Sequence, residues 1–165
     1  SLNIEKNQFC PVVWLYMYKR SFLLKENLKF FSVKYYEDNL FTYKILASTG
    51  SCCYIPRKLH NHVFHDESIT GRSLTSQNIG CLIIVLKEMI DLHFKLGSPK
   101  EHYKLLRLYA WLPFRVALDN KIFDYNITRD YLKVLLKHPK LMSISLLKSI
   151  VKFVFRLGRP VQTRL

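Results

Sequence analysis

Two adjacent carboxylates, Glu37 and Asp38, are the residues of this sequence best suited to acid–base chemistry. They follow Tyr35 and Tyr36 and open a segment whose apolar residues recur at helical spacing, which predicts a helix over residues 37–48. A carboxylate at a helix start accepts hydrogen bonds from backbone N–H groups, which keep it ionised and fix its direction, as a general base requires. Acidic residues are also favoured there as simple helix caps. Spacing alone therefore leaves both a catalytic and a capping role open.

Both helices and strands are predicted in the first 70 residues, and these elements must position the acidic pair. A short helix over residues 20–27 precedes an extended piece over residues 28–33. Residues 51–55 and 58–65 are rich in aromatic and β-prone side chains on either side of Pro56, which predicts two short strands. This part of the chain is therefore expected to be α/β.

From Leu74 onward the pattern is helical only. Apolar residues at helical spacing predict one helix that stops at Gly97 and others over residues 101–118, 129–137 and 141–157. We expect Pro113 to bend or divide the second of these helices, because proline removes a backbone donor and clashes with the preceding turn. Thr128 is the predicted N-cap of the third helix.

Composition bounds the class of protein. The chain has 165 residues, 49% of them hydrophobic, which excludes a disordered chain. It carries 26 Lys and Arg against 12 Asp and Glu, and the net charge of +14 favours anionic partners such as phosphates, nucleic acid or acidic lipid. The longest apolar run, from Ile79 to Leu86, falls far short of the roughly 20 residues that a membrane-spanning helix needs. The four cysteines form no C-x-x-C pair and are expected to be buried free thiols in a reducing compartment.

Histidines near the predicted strands are a further candidate. His60 and His62 fall on one face of the second strand, and with His65 they form an H-x-H-x-x-H pattern that could suggest zinc. Strand histidines more commonly pack or face water, so we predict no metal site among them.

Four motifs in a fixed order extend the argument beyond the acidic pair. They are W-L-Y-M-Y-K-R-S-F-L-L from Trp14, Y-Y-E-D-N-L-F-T-Y-K-I-L from Tyr35, Y-I-P-R-K-L-H from Tyr54 and H-D-E-S-I-T-G from His65. In this order and spacing, residues 12–71 resemble the C-terminal half of the catalytic domain of bacterial family 2 glycosyltransferases.

The resemblance implies a fold and a division of the chain. Residues 1–73 would be the C-terminal, acceptor-side part of a Rossmann-like α/β domain of the GT-A type, and residues 74–165 a basic α-helical extension. The implied activity is inverting transfer of a sugar from a nucleotide-diphosphate sugar to a hydroxyl of a glycan or lipid-linked acceptor, in cell-surface polysaccharide biosynthesis.

The resemblance also implies roles for individual residues. Asp38 would deprotonate the acceptor hydroxyl and Glu37 would orient or support it. His65 occupies a position near the donor diphosphate where the family commonly has a basic residue. Trp14, with Tyr16 and Tyr18, would line the acceptor pocket, the alternative being core packing beneath it. Lys19 and Arg20 would contact phosphate, the alternative being a solvated charged turn.

The donor-binding half of such an enzyme has no counterpart in this sequence. No Asp-x-Asp metal motif occurs, and no series of apolar strands precedes Val12. A divalent cation, Mg²⁺ or Mn²⁺, would neutralise the leaving diphosphate, and its ligands are expected to lie outside this chain. We therefore expect the chain to be a C-terminal fragment that is inactive alone.

The C-terminal region supports a competing, non-catalytic hypothesis. Residues 121–165 carry ten Lys and Arg against two Asp, and Lys148, Lys152 and Arg156 recur every four residues beside an apolar face. Residues 141–157 could therefore bind an anionic membrane surface, or pack on the other helices with their lysines in water. The alternative function is thus a basic helical module that binds anionic lipid or nucleic acid. Nucleic-acid binding is the less favoured, because no helix-turn-helix or basic stacking strand is evident. The expected location is cytoplasmic, peripheral at the inner face of the cell membrane if the helix binds lipid.

Overall fold

Helices form the whole regular structure of the described part of the chain. The computed structural model describes residues 11–48, 52–53, 55–61, 63, 73–97 and 102–157. Short 3-10 turns occur at Val13–Leu15 and Pro139–Leu141. The α-helices among these residues are α1 (Arg20–Lys25), α2 (Glu37–Ser48), α3 (Ser76–Leu96), α4 (His102–Asp119), α5 (Tyr125–Lys137) and α6 (Ile144–Leu157).

The expected α/β fold is wrong for the described residues, which contain no β-strand and are all-helical in their regular structure. The correction includes the Rossmann-like GT-A architecture implied by the resemblance. The predicted strands over residues 51–55 and 58–65 are described in part, and all their described residues are exposed and outside any strand. A short strand needs a neighbouring strand and a buried face to be stable, and these residues have neither. Positions 51, 54, 62, 64 and 65 lie outside the described residues.

One core joins helices from both parts of the chain. Leu40 and Tyr43 of α2 are fully buried and belong to the same apolar cluster as residues of α3 and α4. α3 packs against α2, α4 and α5, and α4 packs against α6. The cluster also includes Leu135, Leu141, Leu146 and Phe153 from the later elements. The division of the chain at residue 73 stays a prediction.

α3 begins and ends with the local signals that the sequence carries. The backbone N–H of Thr75 donates to Asn78 Oδ1 at 2.9 Å, which satisfies one donor at the helix start. Gly97 ends the helix with a φ of 57°, the left-handed conformation that glycine adopts without a Cβ penalty. The predicted stop at Gly97 is thereby confirmed.

Two predictions for α4 and α5 are wrong. α4 continues through the buried Pro113 as one helix, so the expected division of this helix is wrong, and the expected bend stays a prediction. α5 begins at Tyr125, one turn earlier than predicted, and its N-cap is Asp124, whose Oδ1 accepts from the Ile127 N–H at 3.1 Å. Thr128 lies inside the helix, where its hydroxyl donates to the Asp124 carbonyl.

The last helix and the cysteines also differ from expectation. α6 starts at Ile144 rather than at 141, because the 3-10 turn ends at Leu141 and Ser143 Oγ accepts from the Leu146 N–H at 3.1 Å. Of the described cysteines, Cys81 is buried as expected, whereas Cys52 and Cys53 are exposed. All three are free thiols.

Candidate functional site

The acidic pair forms the first turn of α2, as predicted. The helix starts at Glu37, and both carboxylates are partly exposed at its N-terminal end. Tyr36 precedes them with a φ of 66°, a left-handed conformation that a residue with a bulky side chain rarely adopts. The Asn39 N–H donates to the Tyr36 carbonyl at 3.1 Å and closes the turn. Strained backbone of this kind persists only where the surrounding structure enforces it.

Tyr36 is held in this conformation by contacts to α3. Its ring packs against the core, and the side chain of Asn78, at the start of α3, interacts with its hydroxyl. Burial raises the pKa of the Tyr36 hydroxyl, so the group stays protonated. Lys34, two residues earlier, donates to Gln77 Oε1 at 3.0 Å. The segment that leads into the acidic pair is therefore attached to the start of α3 at two points.

The Asp38 carboxyl has a raised pKa. Burial is the main cause, and the negative charge of Glu37 adds to it. The nearby backbone N–H groups of Asn39 and Asp38 favour the charged form and lower this pKa, but they do not outweigh burial. The sequence correctly indicated these N–H donors, but their effect is the smaller one. A carboxylate with a raised pKa binds a proton more readily, which improves its performance as a general base near neutral pH.

A buried hydrogen bond fixes the helix immediately behind Asp38. The hydroxyl of Tyr109, on α4, donates to Asn39 Oδ1 at 2.6 Å, and both side chains are buried. One turn further along α2, the Thr42 hydroxyl donates to the Pro11 carbonyl at 3.0 Å. The start of α2 is thus held from two sides. Sequence reasoning did not identify Asn39 or Tyr109, because nothing local pairs residues so far apart in the chain.

Aromatic side chains line the neighbouring side of α2. Phe41 stacks on Phe30, with ring centroids 4.2 Å apart, and meets the edge of Tyr18 at 6.0 Å. The 3-10 turn that carries Trp14 contacts α2, and Trp14 itself is 52% exposed. Tyr16 and Tyr18 are half-buried, and burial raises the pKa of Tyr18 to about 12. The structure therefore brings an exposed aromatic surface next to the helix that carries the acidic pair.

The two basic residues predicted to contact phosphate directly follow these aromatic residues in the chain. Lys19 and Arg20 are exposed at the start of α1, directly after Tyr18. The described contacts do not join either cation to Glu37 or Asp38. His65 lies outside the described residues, so its predicted position near a diphosphate stays a prediction. A small apolar cavity between α3, α4 and α5, lined by Ile83, Phe114 and Tyr131 among others, does not include the acidic pair.

Where the structure describes the chain, no group of three or more His, Cys, Asp or Glu side chains could hold a metal ion. None of the described helices is both long and apolar enough to cross a bilayer.

Comparison of the chain with protein-family models, with curated proteins and with solved structures found no match.

Proposed function

We propose that this chain carries the acceptor side of an inverting glycosyltransferase. Asp38 takes the proton of the acceptor hydroxyl while that oxygen forms a bond to the anomeric carbon of a nucleotide-diphosphate sugar. The bond between that carbon and the diphosphate breaks, and the nucleoside diphosphate leaves with the electron pair. The acceptor is a glycan or a lipid-linked sugar, in the assembly of cell-surface polysaccharide.

One observation carries this proposal. The second residue of the E-D pair lies on a fixed helix start, partly buried, with a pKa raised by burial and by Glu37. Such a carboxyl is suited to proton abstraction and is also partly open to a substrate. The resemblance over residues 12–71 supplies the reaction class. Because the α/β fold expected with it is wrong for the described residues, the proposal rests on motif chemistry and on the surroundings of Asp38.

The resemblance also supplies roles for residues of the segment that precedes the pair. The exposed Trp14 offers a flat apolar face for the acceptor sugar ring. Lys19 and Arg20 would contact phosphate groups of a lipid-linked acceptor or of the donor. The resemblance implies that Mg²⁺ or Mn²⁺ would be held with the donor by residues outside this chain. No step proposed for Asp38 depends on that cation.

The test measures nucleoside-diphosphate release by the intact protein, with a panel of nucleotide sugars and acceptors. Asp38→Asn should lower kcat by about 10²–10⁴-fold, the usual contribution of a general base, with the far-UV circular dichroism unchanged. Asp91→Asn, which changes an exposed carboxylate of α3 in the same way, is the matched control and should keep wild-type turnover. Wild-type turnover in Asp38→Asn would refute the proposal.

Glu37 is a positioning residue, so its test needs a different readout. Its negative charge raises the pKa of Asp38, and Glu37→Gln removes that charge. A base works only when deprotonated, so the acid limb of the pH–rate profile should move to lower pH in this variant. If the acid limb of the pH–rate profile does not move in Glu37→Gln, the group that titrates in this limb is not Asp38.

A further inference from the structure

Helix α6 leaves a continuous apolar surface in solvent. Five of its residues are between 47% and 74% exposed, and we call them the outer face: Ile144, Leu147, Val151, Val154 and Phe155. At 3.6 residues per turn they lie along one side of the helix over its full length. Scattered exposed apolar residues are ordinary, but a contiguous strip along one helix indicates an interaction surface.

The opposite side of α6 is fixed to the protein. Leu146 and Phe153 are buried in the core, and Trp111 Nε1 on α4 donates to Ser149 Oγ at 3.0 Å. The helix therefore cannot rotate to bury the outer face without exposing its core side. The outer face is a stable feature of the surface.

A row of cations borders the outer face. Lys148, Lys152 and Arg156 are exposed, spaced four residues apart, and lie between the outer face and the core side on one edge of the helix. Arg156 also reaches the Leu118 carbonyl at 3.5 Å. Residues 144–157 include no Asp or Glu. The exposed part of α6 thus combines the five apolar residues of the outer face with a row of three cations.

We propose that the outer face of α6 inserts into the interface of an anionic membrane, with the basic row on the lipid headgroups. Apolar side chains reach the acyl boundary while neighbouring lysines and arginines stay at headgroup level, which matches both halves of the exposed surface. A second copy of the chain is disfavoured, because two such helices would bring like charges together. Nucleic acid would use the basic row but would leave the outer face in water.

The expected affinity for the anionic membrane follows from the number of basic and apolar side chains that reach it. Each basic residue near an anionic surface strengthens binding about fivefold, so three together contribute roughly 100-fold. Removing one large apolar side chain from the interface lowers binding by about tenfold or more. The electrostatic part should weaken as salt is added, because screening shortens its range.

The experiment measures sedimentation of the full chain with vesicles of phosphatidylcholine alone and with phosphatidylglycerol added. One triple variant removes the basic row, and a second removes three exposed cations elsewhere with the same change in net charge. The first is Lys148→Gln/Lys152→Gln/Arg156→Gln, and the control is Lys29→Gln/Lys87→Gln/Lys95→Gln. Phe155→Ser tests the outer face, with the exposed Ile84→Ser of α3 as its control.

We expect the wild-type chain to bind the anionic vesicles only. The α6 triple variant should lose roughly 100-fold in affinity for these vesicles, and the affinity of the control triple variant should change by at most twofold. Phe155→Ser should lower the affinity for anionic vesicles about tenfold, and Ile84→Ser should leave it unchanged. Four results would each overturn the proposal: no binding to anionic vesicles, equal losses in both triple variants, a lipid-independent dimer that Phe155→Ser dissociates, or duplex DNA binding without vesicle binding. Asp38→Asn should leave vesicle binding unchanged, so this proposal and the catalytic one can fail separately.

Discussion

Removing one hydroxyl behind the acidic pair should destabilise the whole fold. Tyr109 is 4% exposed and Asn39 is 6% exposed, and their hydrogen bond at 2.6 Å is made where water cannot replace it. Tyr109→Phe keeps the ring and its packing but leaves the Asn39 carbonyl without this donor. The cost is therefore that of an unsatisfied buried polar group rather than that of an exposed hydrogen bond.

The size of the effect can be worked out from that geometry. An orphaned buried acceptor costs about 1–3 kcal/mol of the free energy of unfolding. For a chain of this length each kcal/mol corresponds to roughly 2–4 °C in Tm, so Tyr109→Phe should lower Tm by about 4–8 °C at the middle of that range. A double-mutant cycle with Asn39→Ala should give a coupling of about 1 kcal/mol between the two positions.

Urea unfolding followed by circular dichroism at 222 nm measures these free energies. Tyr125→Phe is the matched control, because it removes a hydroxyl from an exposed tyrosine of α5 and should change stability by less than about 0.5 kcal/mol. The reasoning is refuted if Tyr109→Phe and Tyr125→Phe unfold alike. A coupling near zero in the cycle would separately show that Asn39 and Tyr109 do not act as a pair.

Two further predictions concern carboxylates at helix starts. The pKa of Asp38 is raised from its ordinary 3.8, so its contribution to stability is present below that value and is lost as pH rises through the folded-state pKa. Asp38→Asn should therefore raise Tm relative to wild type at pH 7 but not at pH 3, and a lower Tm at pH 7 would contradict the assigned direction. Asp124→Ala removes the N-cap of α5 and should cost about 1 kcal/mol in urea unfolding, whereas Asp119→Ala, a carboxylate at the end of α4, should cost less.

Local signals explain what could be read from the sequence. The bounds of α2 were predicted correctly from apolar spacing, and the end of α3 from Gly97, because each depends on neighbouring residues. The start of α5 was placed a turn late because Asp124 and Thr128 are both good cap residues, one helical turn apart. Nothing in their immediate sequence distinguishes them.

The sequence does not predict features whose structure depends on residues far away in the chain. Aromatic and β-prone side chains favour a strand only if a second strand is available, and residues 55–61 have no such partner in the described structure. Pro113 lies within a continuous helix because packing holds the turn that it weakens. The pKa of Asp38 depends on burial by other elements, so the sequence could indicate the N–H donors but not the net direction. Tyr109 carried no signal at all.

The shared core of α2 has a consequence for shortened versions of this protein. Leu40 and Tyr43 are covered by α3 and α4, and the Tyr43 hydroxyl also lies 3.4 Å from His93 Nδ1. A truncation that ends before α3 would leave these side chains in water and free the helix that carries the acidic pair. Because α4 packs in turn against α6, shortened versions intended to study Asp38 should extend through Leu157, even though the motifs themselves end at Gly71.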